Sequence, residues 1–375
     1  MAVSQYARSM KIAFHSPLKS PNHPVPSGDR LMARLLIAAL ERAGHQVAIA
    51  SDLRTFMRAP SADMFAALKV EAETEIERIS ALWQRDRAPD LWFTYHLYYK
   101  APDLLGPRLA RAFNIPYVTA EASYSARRNI GIWTEAQAQV VEAIEQAAIN
   151  ICLTKRDRVG LADAMPAIRT AMLPPFLDAS AFLALEPQPQ PHRLIAVAMM
   201  RAGDKMDSFR MLAEALKLIS DQPWALSIVG DGQLRVETEA LFSGIDTNRI
   251  EWLGQKSQDE IATLLSQSSI YVWPGCGEAY GLAYLEAQAA GLPVVAQAIA
   301  GVPEVVLAGQ TGVLTPPGDV SAYANAIRDL LVDTDKRARM SDMARQFVRD
   351  ERSLDRAAAQ LNALLNQYVG TDHAE

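Results

Sequence analysis

From residue 11 onward, short apolar runs alternate with longer amphipathic stretches, and this rhythm confines the chain to a layered α/β architecture. Residues 11–15 predict a first strand. Residues 30–43 predict a helix with Leu31, Leu35, Leu36, Ala39 and Leu40 on one face, closed by Gly44. Further strands are expected at 46–50, 91–95, 117–120 and 149–153. Apolar strands separated by helices predict a doubly wound parallel sheet with helices on both faces.

The rhythm breaks between Leu173 and Arg193. Pro174-Pro175 is followed by Glu186-Pro187-Gln188-Pro189-Gln190-Pro191, a run that neither continues a helix nor pairs into a sheet. We read 183–192 as a linker between an N-terminal domain (1–182) and a second domain (193–345), with C-terminal helices at 346–375. The second series comprises strands at 194–198, 225–229, 250–253, about 269–273 and 294–296, with helices at 206–219 and 258–267. Helix 354–368 carries an apolar stripe of Leu354, Ala358, Leu361, Leu364, Leu365 and Tyr368. Two such domains imply a cleft, where small-molecule sites commonly lie.

At 375 residues two domains are also the natural expectation from size. A net charge of −6 argues against nucleic-acid binding as the main role. The two cysteines, Cys152 and Cys276, leave room for a single bridge, but reduced thiols in a cytoplasmic protein are the expectation. No apolar run approaches the roughly 20 residues that span a bilayer. Peripheral contact through helix 30–43 and Arg108, Arg111, Arg127 and Arg128 is conceivable, but a solvated face is the simpler account. Oligomeric state is left open.

Glu278 and Glu286 stand eight positions apart across a strand–loop–helix junction. The strand stops at Pro274, and Gly291 and Pro293 end the helix that carries Glu286. Ligands of open α/β sheets bind at that end of the strands. A helix opening there presents backbone N–H groups to an anion such as phosphate, while carboxylates accept hydrogen bonds from sugar hydroxyls. The combination points to a nucleotide sugar.

The surrounding segments, in order, are Ile228-Val229-Gly230-Asp231-Gly232, Trp252-Leu253-Gly254, Pro274 to Leu282, Gly291 to Ala296, Gly301-Val302-Pro303-Glu304 and Thr311 to Asp319. Together they resemble glycosyltransferase family 4, the retaining glycosyltransferases of GT-B architecture. The resemblance covers the chain in outline and is specific from about 193 to 330. It implies two Rossmann-like domains facing across a cleft, with the C-terminal helix crossing back to the first. It also implies donor binding by the second domain and acceptor binding by the first. Glu286 would hold the donor ribose and Glu278 would face the donor sugar. Gly230, Gly232, Leu253, Gly254, Ala279, Tyr280, Gly281 and Leu282 would line the nucleotide-sugar site. Arg201 and Lys205 would neutralise the leaving diphosphate. The family carries its arginine five positions before the lysine, where this chain has Met200.

In the first domain, Pro26-Ser27-Gly28-Asp29-Arg30 precedes the first helix. Ser27 or Asp29 would cap it, and Ser27, Gly28, Asp29 and Arg30 form a candidate acceptor and phosphate loop. The family often has two glycines there; this chain has one. His96 ends a strand and suits hydrogen bonding to a hydroxyl. The histidine that the family places at the end of the following strand is replaced by Glu121, which could orient a donor hydroxyl or deprotonate an acceptor. Tyr124, Arg127 and Arg128 could serve an anionic acceptor. Asp333-Thr334-Asp335 superficially matches a metal motif but is expected to be a solvated turn, so neither a metal nor a cofactor is expected. The complete dinucleotide fingerprint is absent, which disfavours an oxidoreductase.

The expected activity is metal-independent, configuration-retaining transfer of a sugar from a nucleoside-diphosphate sugar to a glycan, lipid or small-molecule acceptor. Cell-envelope or exopolysaccharide synthesis is suggested by family habit alone. The rivals are an epimerase or hydrolase of the same fold, and a sugar-nucleotide-binding protein without turnover. Base, sugar and acceptor are not legible.

Overall fold

The computed structural model describes residues 9–25 and 27–370, so Pro26 of the candidate acceptor loop lies outside the described residues. The chain forms two compact units, one of residues up to Pro174 together with those from Leu354, the other Pro175–Ser353.

The first unit alternates β1 (Lys11–His15), α1 (Gly28–Arg42), β2 (Gln46–Ser51), α2 (Ala62–Asp86), β3 (Leu91–Tyr95), α3 (Gly106–Ala112) and β4 (Tyr117–Ala120). It continues with α4 (Ile132–Gln146), β5 (Ile149–Cys152), α5 (Lys155–Ala164) and β6 (Thr170–Met172). The sheet is parallel throughout, in the order β2-β1-β3-β4-β5-β6. Every residue of β3, β4 and β5 is buried, as expected for strands covered on both faces.

The second unit begins with α6 (Ser180–Leu183), β7 (Arg193–Val197), α7 (Asp204–Leu218), β8 (Ala225–Val229), α8 (Arg235–Leu241), β9 (Ile250–Gly254) and α9 (Gln258–Ser266). Then come β10 (Ile270–Val272), α10 (Leu282–Ala289), β11 (Val294–Gln297), α11 (Val302–Val305), β12 (Gly312–Thr315), α12 (Val320–Val332) and α13 (Thr334–Phe347). Its parallel sheet runs β12-β11-β10-β7-β8-β9. The last helix, α14 (Leu354–Tyr368), belongs to the first unit. It packs on α1, where Arg42 Nε lies 2.6 Å from Asp355 Oδ1, and Gln360 donates to the Met172 carbonyl. Among the described residues no helix is long and apolar enough to cross a membrane.

The proline run expected as a linker is instead part of the second unit, and the boundary falls at Pro174/Pro175. Gln188 and Gln190 donate backbone N–H groups to the carbonyls of Ser266 and Gln267. Arg345 grips the Leu183 and Leu185 carbonyls at 2.7 and 2.8 Å. Pro187 packs where a side chain on Gly291 would stand, 2.8 Å from the Cβ that Gly291 lacks. Prolines rule out helix and sheet-interior pairing without preventing a segment from packing.

A wholly buried polar network pins the first unit. Asp103 Oδ1 accepts the N–H groups of Leu105 and Gly106, and Oδ2 accepts the hydroxyls of Thr94 and Tyr117. Trp92 in turn donates to Thr94 Oγ1 at 2.7 Å. An acceptor with four donors is well satisfied, and its removal orphans all four. Asp103→Ala orphans these neutral donors at about 1–3 kcal/mol each and is therefore expected to cost about 3 kcal/mol or more, read as a lowered urea midpoint of the first unit. A loss below about 1 kcal/mol would show that water replaces the carboxylate freely.

Candidate functional site

In the second sheet the chain winds outward from β7 through β8 to β9, then returns to place β10 on the other flank of β7. Connections diverge between β7 and β10, and at such a switch point the loops after the two strands leave a crevice. The loop after β7 carries Arg201 and leads into Lys205; the loop after β10 carries Glu278. Lys205 Nζ lies 2.5 Å from Glu278 Oε2, both side chains about four-fifths shielded from solvent (18% and 21% exposed). The same ammonium sits 5.4 Å from the centre of the Trp273 ring. Arg201 is exposed and has no partner among the described residues.

The β10 loop is held rigidly. Gly275 has φ +72°, and a Cβ there would come within 2.1 Å of the Tyr284 hydroxyl, which donates to the Trp273 carbonyl at 3.1 Å. Gly277 has φ +68°, and its missing Cβ would meet the Asp204 carboxylate. Only glycine fits such positions. Between them, the Cys276 N–H donates to Ser208 Oγ. Cys276 is a free, half-buried thiol, and Cys152 is free and buried.

Helix α10 opens after Gly281 (φ +76°) without a side-chain cap, and no acceptor among the described residues takes the N–H groups of Leu282 or Ala283. Ala279 accepts from the Gly301 N–H at 2.6 Å, and Tyr280 is buried. One turn into α10, Glu286 is half-buried and has no hydrogen-bond or ion-pair partner among the described residues. Burial pushes its carboxyl up to about 7. Its negative charge in turn helps burial to hold the Tyr271 phenol above its ordinary value.

Gly230 and Gly232 serve close backbone approach. Their absent Cβ atoms would lie 2.0 and 2.1 Å from the carbonyl oxygens of Ala198 and Met200. The Met200 N–H donates to the Asp231 carbonyl, and Gly230 donates to Gly254. The two glycines thus fix the loop that carries Arg201, while Leu253 and Gly254 end the neighbouring strand β9.

The first sheet has its own switch point, between β1 and β3. The structure makes a contact across it that the sequence did not announce, with His96 Nδ1 3.1 Å from Asp29 Oδ1. Ser27, not Asp29, caps α1, its Oγ accepting the Arg30 N–H at 3.2 Å. Asp29 is left to face His96. Gly28 has open space around its missing Cβ, and Arg30 Nε points to the Pro21 carbonyl. His96 and Glu121 end adjacent strands, both with positive φ (60° and 55°). Non-glycine residues hold that conformation only where surroundings enforce it, commonly at functional sites. Here the His96 N–H donates to Ala120 and the Glu121 N–H to Ile151.

Burial pushes the His96 imidazole down, but the Glu121 and Asp29 carboxylates outweigh it, and the group ends above its ordinary range. Burial raises Glu121 as well, against the pull of His96 and the Tyr95 hydroxyl. Burial would also raise Asp29, but contact with His96 brings it below the usual value. The three groups share charge as one cluster.

Sequence reasoning missed the aromatic train that leaves this cluster. His96 lies 5.4 Å from Tyr98, Tyr98 5.5 Å from Tyr99, and Tyr99 5.1 Å from Trp133 between ring centres. Arg128 stands over Tyr99 at 5.4 Å. The run 95–99 was visible as a signal, but Trp133 comes from α4, far along the chain. Arg108 and Arg111 pair with Glu73 and Glu142. Asp333 caps α13 by accepting the Lys336 N–H.

Residues 191–333 match the family model described as Glycosyl transferases group 1. The sulfoquinovosyl transferase SQD2 of Arabidopsis thaliana is 34% identical over 138 residues, which is 36% of this chain and 26% of that protein. The alignment thus spans about a quarter of the plant relative's length. The glycogen synthase of Mycobacterium tuberculosis is 26% identical over 341 residues, covering 86% of this chain and 77% of its own. Among solved structures, sucrose-phosphate synthase from Thermosynechococcus elongatus superposes with a TM-score of 0.74 at 21% identity, over 97% of this chain and 100% of that one. Anabaena HepE, solved in complex with UDP-glucose, gives 0.67 at 20% identity over 96% and 100%. The fold is that of the GT-B glycosyltransferases.

Proposed function

We propose that this chain, a glycosyltransferase carrying a group 1 domain at residues 191–333, transfers a sugar from a nucleoside-diphosphate donor bound by its second unit. The reading belongs to family 4, with retention of configuration and no metal requirement. The observation that carries it is the set of groups at the β7/β10 switch point. Lys205 and the unpartnered Arg201 supply positive charge, the uncapped start of α10 supplies N–H donors, and the unpartnered Glu286 supplies an acceptor.

Each group matches one part of a nucleotide sugar. The diphosphate takes the ammonium, the guanidinium and the N–H groups of Leu282 and Ala283. Glu286 accepts from the two ribose hydroxyls, and Glu278 accepts from the donor sugar. As the glycosidic bond to the diphosphate breaks, charge grows on the leaving oxygens, and cations brought against them lower the barrier. Asp333 caps a helix, and in this reading the cations and the helix start carry the role that a metal plays in other glycosyltransferases. In the first unit, the Asp29–His96–Glu121 cluster would orient the acceptor hydroxyl. The rings of Tyr98, Tyr99 and Trp133 extend that surface in a way that suits the apolar face of a sugar.

The test is thermal unfolding with UDP, GDP, ADP and dTDP and their common sugars, on wild type and Glu286→Ala. UDP-glucose comes first, because HepE was solved with it. A ligand at a hundred times its Kd stabilises by about 2.7 kcal/mol, a shift of several degrees. One nucleotide family should shift wild type and do so far less in the variant. Release of the diphosphate should then depend on added acceptor. No shift with any member of the panel overturns the transferase reading.

A further inference from the structure

The ion pair between Lys205 and Glu278 joins two groups that the donor reading assigns to different parts of one ligand. Lys205 is assigned to the diphosphate and Glu278 to the sugar, yet the two satisfy one another at 2.5 Å. The backbone on both sides is tied by its own contacts. Gly275 and Gly277 sit at positive φ against the Tyr284 hydroxyl and the Asp204 carboxylate, and Cys276 is tied to Ser208. The Glu278 N–H closes the turn onto the Gly275 carbonyl. On the other side, Lys205 lies in the first turn of α7 with its ammonium over the Trp273 ring. Side-chain rotation is therefore the simplest way to part the pair.

We infer that Glu278 is a discriminating residue that disfavours the spent nucleoside diphosphate relative to the intact sugar nucleotide, by reclaiming Lys205 whenever no sugar is present. The inference rests on the donor site proposed above. A nucleoside diphosphate that engages Lys205 leaves a shielded carboxylate without its cation and brings further negative charge beside it. Removing one partner of a shielded pair is costly, and a diphosphate offers that carboxylate no hydrogen-bond donor. The hydroxyls of an attached sugar are donors and restore what Glu278 loses. The intact donor is thus accepted without the cost. Once the sugar has been transferred the cost returns, and it favours release of the diphosphate.

The experiment is calorimetric titration of UDP and UDP-glucose, or of the matching pair that wild type binds in the nucleotide panel. It uses wild type, Glu278→Gln, Lys205→Met and the double variant, each checked for folding by circular dichroism. Glutamine keeps the size and removes the charge. The ratio Kd(diphosphate)/Kd(sugar nucleotide) is expected to fall about tenfold in Glu278→Gln, mainly because the diphosphate binds more tightly. Product inhibition should deepen in step. In the Lys205→Met background the same substitution should change the ratio by less than about threefold, because there is no ammonium to reclaim. An unchanged ratio in Glu278→Gln overturns the assignment, and so does a tenfold fall that persists without Lys205. Either result leaves the donor reading standing. Failure of wild type to bind any sugar nucleotide overturns the donor reading itself, and this inference with it.

Discussion

Lys205→Ala is expected to lower kcat by about a hundred- to a thousandfold, the usual loss when one preorganised stabiliser of developing charge is removed. The expectation follows from position and shielding. Lys205 lies in the first turn of α7 beside the β7/β10 switch point, and its side chain is only 18% exposed. A cation in that setting interacts more strongly with a leaving diphosphate than an exposed one, because less water screens it. Arg201, exposed and unpartnered, should contribute less. Arg201→Ala is expected to act mainly on KM, within about tenfold. Steady-state kinetics of both variants with the donor identified by thermal unfolding make the comparison. A Lys205→Ala enzyme within threefold of wild-type kcat would place the stabilisation of the leaving group elsewhere. Because Lys205→Ala leaves the shielded Glu278 carboxylate without its cation, folding of the variant is checked by circular dichroism.

Both sheets were legible because parallel strands buried on two faces read as continuous apolar runs, and β3, β4, β8 and β10 are such runs. Helix α2 was not read, although it spans Ala62–Asp86. Its buried positions are only Phe65, Leu68, Ala72 and Ile79, a sparse stripe diluted by glutamates. Strand β12 was hidden for another reason. Its residues lie inside the glycine- and proline-rich segment Thr311 to Asp319, which masks a strand signal, and Gly312 at its start fits only because its missing side chain leaves room for the Val294 carbonyl. The proline run was misplaced because composition reports what a segment cannot form and is silent on what it packs against. At the site, the sequence nominated Lys205 and Glu278 separately, but 73 positions divide them. Their pairing follows from which strands neighbour β7, a property of the whole sheet. The Asp29–His96 contact arises the same way, through the adjacency of β1 and β3.

Glu286→Gln is expected to separate stability from binding, and pH should switch both effects. Burial raises the Glu286 carboxyl from the usual 4.5 to about 7 in the folded chain, so between those values the folded state holds a proton that the unfolded state has released. Stability from this group is full below about pH 4.5 and is lost as pH rises through about 7. Glutamine cannot ionise and should unfold at a higher temperature than wild type at pH 8. At pH 5 the difference should largely vanish, because wild type is then protonated as well. Donor binding runs the other way. The ionised carboxylate accepts two ribose hydroxyls more strongly than the neutral acid, so wild-type affinity should fall by up to tenfold per unit as pH drops below about 7. Glu286→Gln should bind the donor weakly and without that slope. Thermal unfolding at pH 5 and pH 8, with and without donor, reads all of these effects. Equal unfolding temperatures for the two proteins at pH 8 would mean that Glu286 ionises freely in the fold. A donor affinity independent of pH in wild type would remove it from the nucleotide site. A half-buried carboxylate that costs stability and is relieved by ligand hydroxyls is strain kept for binding, and this pair of pH profiles distinguishes it from a glutamate that merely faces the surface.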